Sequence, residues 1–95
     1  MFVSTAQIAT DNPQRLITRL CKHWGHKFPV SFEALQGEIQ LGLGRCLLQA
    51  QDNALDVRLN AADDEQLQRL ETVVSDHLQR MTTKPLPTFD WQRQA

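Results

Sequence analysis

The sequence predicts an α+β domain in which an antiparallel sheet of four to six strands carries two helices on one face. Four segments between residues 28 and 59 alternate apolar and polar side chains, a pattern typical of antiparallel strands with one buried face. Two other segments repeat apolar residues at helical spacing. Because each element offers only one apolar side, the chain buries most surface as two layers.

The first two elements are a strand and a helix. Residues 2–10 predict a strand on which Ala6 and Ile8 share one face and Val3 lies on the other. A helix is expected to begin at Asp11-Asn12-Pro13, where a short acceptor side chain caps the free amides and proline suits the first turn, and to end by about Lys27. Its apolar stripe comprises Leu16, Ile17, Leu20, Cys21 and Trp24.

The middle of the chain predicts a meander of four strands. Short connections with turn residues separate them, at Gly37, at Gly42–Arg45 and at Asp52-Asn53. The inward-facing sets are Phe28, Val30 and Phe32; Ile39 and Leu41; Cys46, Leu48 and Ala50; and Leu55, Val57 and Leu59.

A second helix is expected to begin at Asp63 or Asp64 and to stop before the Lys84–Pro87 segment. After it, Phe89 and Trp91 share one face of a short C-terminal edge strand or of a flap packed on the core. The predicted buried stripe of this helix is Leu67, Leu70, Val73, Val74, His77, Leu78 and Met81. The order β-α-β-β-β-β-α is similar to that of TATA-binding-protein-like folds, a likeness of shape that implies no function.

Composition excludes several classes of protein. The 95 residues fit a single domain, 1–95. Two cysteines are too few for a disulfide framework, and no signal peptide or membrane span is recognisable, so a cytoplasmic location without membrane partners is expected. A net charge of −1 gives no general attraction to nucleic acid, and the basic first helix lacks the interleaved aromatic residues that would favour such binding.

The densest cluster of reactive side chains lies at the end of the first helix. Lys22, His23, His26 and Lys27 form a candidate ligand-binding site, because imidazoles bind metals or respond to pH and lysines hold anions. A candidate metal set combines Cys21, His23, His26 and His77, provided that the two helices are neighbours. In the alternative interpretation all four residues have structural roles. Cys21 and His77 lie in the core, and His23 and His26 lie near the negative end of the helix dipole.

Catalytic signatures are absent from the sequence. It contains no nucleophile elbow, phosphate-binding loop, Cys-x-x-Cys pair or zinc-protease helix. A Cys21 thiolate activated by His23 or His77 is a further hypothesis, but no orienting group or oxyanion donor accompanies it. The sequence therefore favours a non-enzymatic domain and indicates no particular cofactor.

Three stretches resemble a known family. They are Leu20–Lys27, Leu70–Leu78 and Asp90–Arg93, and they are similar to a bacterial family of unknown function, number 2218 in the domain-of-unknown-function series. The resemblance runs from about Ala6 to Arg93. Similar domains occur fused to siderophore-interacting reductases, which implies an association with iron handling.

Two functional hypotheses remain open. The first is a ligand- or metal-binding accessory domain linked to iron or siderophore metabolism. The second is a protein-interaction or self-association module, such as a homodimer, that uses the open sheet face or an edge strand. Leu47, an apolar residue on the otherwise polar face of the sheet, is the feature that favours the second.

Overall fold

The computed structural model describes residues 2–82, 85–87 and 89–94. In these residues six strands and two helices follow the predicted order, with a short C-terminal strand. The elements are β1 (Phe2–Ala9), α1 (Pro13–Trp24), β2 (Val30–Phe32), β3 (Gln36–Leu41), β4 (Gly44–Gln51), β5 (Ala54–Ala61), α2 (Asp64–Arg80) and β6 (Gln92–Gln94).

All six strands form one antiparallel sheet in the order β2-β3-β4-β5-β1-β6. The predicted meander is confirmed as β2 to β5, but Gly37, which was expected in a turn, lies within β3, and residues 33–35 join β2 to β3. The first strand lies beside the last strand of the meander, with Ala6 opposite Val57. Two-residue turns join β3 to β4 and β4 to β5, and Asn53 adopts the left-handed conformation that its turn requires, with φ 55°.

Both helices pack on the same face of the sheet, as predicted. α1 lies over β2, β3 and β4, and α2 lies over β5 and β1. The core comprises the predicted stripe of α1, including Trp24, the inward side chains of the strands, and the centre of the α2 stripe. Phe32 was expected to face inward but is exposed, because it lies on the edge strand of the sheet. Val73, His77 and Met81 are half-buried because they lie at the margins of that stripe.

The helix ends follow from local hydrogen bonding. The Asn12 side chain accepts from the backbone amide of Arg15 at 3.2 Å, and Asp63, rather than Asp64, caps α2 through the amide of Gln66 at 2.8 Å. α1 ends at Trp24, three residues before Lys27, because the chain turns at Gly25–Lys27. The amides of Lys27 and Phe28 both donate to the carbonyl of Trp24 in that turn.

The tail is both an edge strand and a packed segment. Phe89 and Trp91 pack against the core, and the indole Nε1 of Trp91 donates to Ser75 Oγ at 3.0 Å. β6 begins one residue later and pairs with β1. Its Arg93 forms ion pairs with Asp64 and Glu71 on α2, which fasten the strand to the helix layer. In the described ranges, no helix is long and apolar enough to cross a bilayer.

Candidate functional site

The end of α1 brings two of the predicted metal-binding side chains together. The imidazole rings of His23 and His77 have centroids 5.4 Å apart, and the His77 ring lies 4.7 Å from the ring of Trp24. Nδ1 of His77 is 2.8 Å from the carbonyl oxygen of Val73 one turn earlier in α2. The carbonyl accepts only from a protonated Nδ1, so this contact favours the tautomer in which Nε2 is the free ligand atom.

Cys21 lies on the opposite side of α1, in the core. It is 1% exposed, and its Sγ lies 2.9 Å from the position that a Cβ on Gly37 would occupy. Burial raises the pKa of the Cys21 thiol from 9.0 to about 11. The Cys46 thiol is also buried, and burial together with the nearby Cys21 raises its pKa further. Both sulfurs are therefore protonated at neutral pH, which disfavours a thiolate nucleophile or a thiolate metal ligand.

The remaining residues of the predicted site are exposed. Lys22 lies in the last turn of α1, whereas His26 and Lys27 belong to the turn that follows the helix. Across the described ranges, no group of three or more His, Cys, Asp or Glu side chains is placed to hold a metal ion. The four-residue set of Cys21, His23, His26 and His77 is thus not assembled, and only its two imidazoles on neighbouring helices meet.

A concavity lies on the opposite side of the molecule, on the sheet face that no helix covers. It is a groove of about 920 Å³, bounded by β2 and the 31–33 segment at one end and by Asp90 and Gln92 at the other. Its floor consists of the outward-facing side chains of β3, β4, β5 and β1. The carboxylates that line it are Glu33, Glu38, Asp56 and Asp90, and the amides are Gln7, Gln36, Gln49 and Gln92.

Hydrogen bonds fix several of the groove side chains. Asp56 accepts from Gln7 Nε2 at 2.9 Å and from Gln51 Nε2 at 3.1 Å. Glu38 pairs with Arg45 at 3.1 Å. Leu47 is the half-buried apolar residue in the middle of the floor, directly opposite Arg58 on β5. The groove is therefore partly ordered before any ligand arrives, which lowers the entropic cost of binding.

The sequence predicts only that the residues lining the groove lie on the solvent-facing side of their strands. Polar residues that alternate with apolar ones are ordinary in such strands, so no single strand reveals a binding site. The signal lies in the pairing register, because Glu38, Leu47, Arg58 and Thr5 occupy one row across four strands. That row becomes visible only after strand order and register are known.

Comparisons with known proteins agree with the fold. A family model described as "Uncharacterized protein conserved in bacteria (DUF2218)" matches residues 5–92. The NMR structure of PA4090 from Pseudomonas aeruginosa has a TM-score of 0.82 and 40% sequence identity, over 97% of this chain and 96% of that chain. No curated protein matches. Neither of the two matching names mentions a metal, a siderophore or a reductase, so the link to iron handling stays a prediction.

Proposed function

This chain belongs to the DUF2218 family of uncharacterized proteins conserved in bacteria, and we propose that it is a non-enzymatic binding domain whose ligand lies on the open face of the sheet. The observation that carries the proposal is the 920 Å³ groove on that face. Its volume is typical of small-molecule sites, which measure about 300–1,000 Å³. A concave surface with convergent polar groups is the usual location of such a site.

The lining of the groove supports binding rather than catalysis. Among the described residues that form it there is no imidazole and no thiol. General acid–base and nucleophilic catalysis most often use such groups, so their absence from the lining favours a site that only holds its ligand. The cysteines are in the core, and the histidines belong to the helix layer or the turn after α1.

The charges of the groove indicate the class of ligand. Four carboxylates line it, on Glu33, Glu38, Asp56 and Asp90, against the guanidinium of Arg58 in the lining and that of Arg45, which pairs with Glu38. This excess of negative charge attracts cations, and the side-chain amides add both donors and acceptors. The proposed ligand is therefore a small polar molecule that carries one or more amino groups, such as a polyamine or an amino sugar.

Amide chemical shifts of the ¹⁵N-labelled protein test the proposal. Spermidine and glucosamine should shift the amides of β3, β4 and β5, whereas citrate, an anion of similar size, should not. Asp56→Asn removes a groove carboxylate and should weaken binding, while the matched control Asp76→Asn on the exposed side of α2 should not. Shifts scattered over the whole surface, or equal binding by the two variants, would contradict the assignment.

A second candidate function is transition-metal binding at the end of α1, favoured by the contact between His23 and His77. Metal-ligating histidines commonly donate their second N–H to a backbone carbonyl, the arrangement that His77 makes with Val73. Lys22 and Lys27 would hold an anionic group of the ligand, and His26 would add a third imidazole if its turn closed over the site. With a metal site of this kind, the domain would be an accessory module of iron or siderophore metabolism.

Tryptophan fluorescence tests the metal-binding candidate. Trp24 lies against His77, so Ni²⁺ or Cu²⁺ bound between the two imidazoles should quench its emission. Ferric siderophores form a second titration series, which tests the iron link directly. His23→Ala should remove the quenching with little change in thermal stability, because His23 is exposed. The same quenching in wild type and in the His23→Ala/His26→Ala variant would exclude the site.

A further inference from the structure

The outer edge of β2 has backbone groups free for pairing. β2 is the terminal strand of the sheet, and no other strand in the described part of the chain pairs with its outer edge. The carbonyl of Pro29 accepts from Gln40, and the amide of Glu33 donates to Gln36, so the alternate residues 29, 31 and 33 face β3. In an antiparallel strand the residues between them point the other way. The N–H and C=O groups of Val30 and Phe32 therefore face outward.

The position of Pro29 leaves this edge intact. Proline lacks an N–H group, and in a strand it removes one potential hydrogen bond. Because the carbonyl of Pro29 faces β3, the missing N–H would have faced β3 as well. The proline consequently costs an internal hydrogen bond and leaves the donors of the outer edge in place.

The other edge of the sheet is protected, whereas the β2 edge is apolar. β6 presents only polar residues, and its Arg93 is held by α2. Near β2, Phe32 is 41% exposed and Leu35 is 55% exposed, and both belong to the short set of large exposed hydrophobic residues in the described structure. β2 is only three residues long, which itself limits pairing at this edge, but the strand carries no charge and adjoins exposed apolar side chains, so a partner along it would cover apolar surface.

We infer that the β2 edge is the interface of a homodimer in which β2 pairs antiparallel with β2 of a second copy, about a two-fold axis at Val30. In this register each Val30 exchanges both hydrogen bonds with its counterpart, and Phe32 donates to the carbonyl of the partner's Phe28. The amide of Phe28 is already used by Trp24, so four intermolecular hydrogen bonds form. The aromatic rings of Phe28 and Phe32 meet across the interface.

Charge complementarity selects a second copy as the occupant of the edge. Lys27 precedes β2 by three residues, and Glu33 follows Val30 by three residues. Lys27 lies in the turn just before β2, and the same register brings that turn toward Glu33 of the other copy, twice per dimer because the interface is isologous. Both side chains are exposed, and neither forms an ion pair with another described residue of its own chain.

The helices leave room for this pairing. α1 contacts β2, β3 and β4 and so lies above β3. The two β3 strands of the dimer are separated by three strand spacings, about 14 Å, whereas packed helices approach to 8–10 Å. The helices therefore do not collide, and the rings of Phe28 and Phe32 lie in the space between them. The dimer requires no ligand in the groove, although Glu33 also belongs to the groove lining.

Sedimentation equilibrium at low ionic strength, combined with a charge exchange, tests the dimer. Wild type should show a species of twice the 10.9 kDa monomer mass. Glu33→Lys replaces two attractions by two repulsions and should weaken dimerisation by about tenfold or more. Lys27→Glu combined with Glu33→Lys should restore it. Asp52→Lys, which makes the same change in net charge at an exposed turn, is the matched control and should dimerise like wild type.

A second readout locates the interface. The amides of Val30 and Phe32 should exchange more slowly with solvent as protein concentration rises, while the amides of β6 should not respond. A monomer at every concentration overturns the inference. So does a dimer that Glu33→Lys leaves unchanged, or one whose concentration-dependent protection lies elsewhere in the sheet.

Discussion

Gly37 is the position at which the close approach of α1 to the sheet can be tested most directly. A Cβ built on Gly37 would lie 2.9 Å from Sγ of Cys21 and 3.1 Å from Cγ2 of Ile17. Ordinary contacts of this kind are about 3.5–4.0 Å long. Cys21 is 1% exposed and Ile17 is fully buried, so neither side chain has free space into which to move. Gly37→Ala should therefore push α1 away from β3.

The expected loss of stability follows from two opposing effects. Adding a methyl group to a packed core costs about 1–3 kcal/mol. Alanine also lowers the conformational entropy of the unfolded chain relative to glycine, which offsets about 0.4–1 kcal/mol of the loss in stability. The net prediction for Gly37→Ala is a loss of about 1–2 kcal/mol in the free energy of unfolding. Gly42→Ala is the matched control, because a Cβ there meets nothing within 4 Å and the change should cost less than about 0.5 kcal/mol.

Urea unfolding followed by tryptophan fluorescence measures both variants, and a double-mutant cycle identifies the contact responsible. In a Cys21→Ala background the 2.9 Å contact is removed, so Gly37→Ala should cost less there than in wild type. The unfolding slope should stay constant if the denatured state is unaffected. Equal stabilities of wild type and Gly37→Ala, or an unchanged cost without the Cys21 sulfur, would refute the packing argument.

Three further predictions concern buried or half-buried polar groups. Glu71→Ala should lower the free energy of unfolding by about 1–3 kcal/mol in urea, because it orphans the buried Ser4 hydroxyl, which donates to Glu71 at 2.7 Å, and removes the ion pair with Arg93; equal stability would contradict this. His77→Ala should cost a similar amount through lost packing on Trp24, so an unchanged thermal melt would exclude a structural role. Stability should also fall as the pH rises from 9 to 11, because both thiols ionise near 9.0 in the unfolded chain and at higher pH in the folded one; Cys21 accounts for about 2 kcal/mol of this fall, so Cys21→Ala should make the decline smaller.

The fold was largely predictable because its elements carry strong local signals. Period-two alternation identified the meander, and helical periodicity with capping residues identified both helices, so the two-layer arrangement followed. The end of α1 was predicted only as lying by about Lys27, because Gly25 weakens a helix without fixing its last residue. The helix ends where the backbone amides of Lys27 and Phe28 donate to the carbonyl of Trp24, and the sequence pattern does not reveal these hydrogen bonds.

The predicted metal set combined two requirements that conflict. Cys21 was placed on the apolar stripe of α1, and a residue of that stripe points toward the sheet. His23 is two residues further along, a rotation of about 200°, so it points to nearly the opposite side. The two side chains cannot converge on one ion while α1 remains a regular helix. His77 can join His23, because it lies on the margin of the α2 stripe that faces the end of α1.

The open sheet face and an edge strand were expected from the sequence as interaction surfaces, but the residues that form them could not be named because they depend on strand pairing rather than on composition. The carboxylates of the groove come from residues as far apart in the sequence as Glu33 and Asp90. They line the same face because β1 lies between β5 and β6, so that the segment before β6 reaches the sheet that also contains β2. Likewise, the seven residues from Lys27 to Glu33 have a positive charge at one end and a negative charge at the other, whatever the fold. That pattern acquires meaning only when β2 is the terminal strand and the groups of Val30 point outward, since an internal strand would already have its partner.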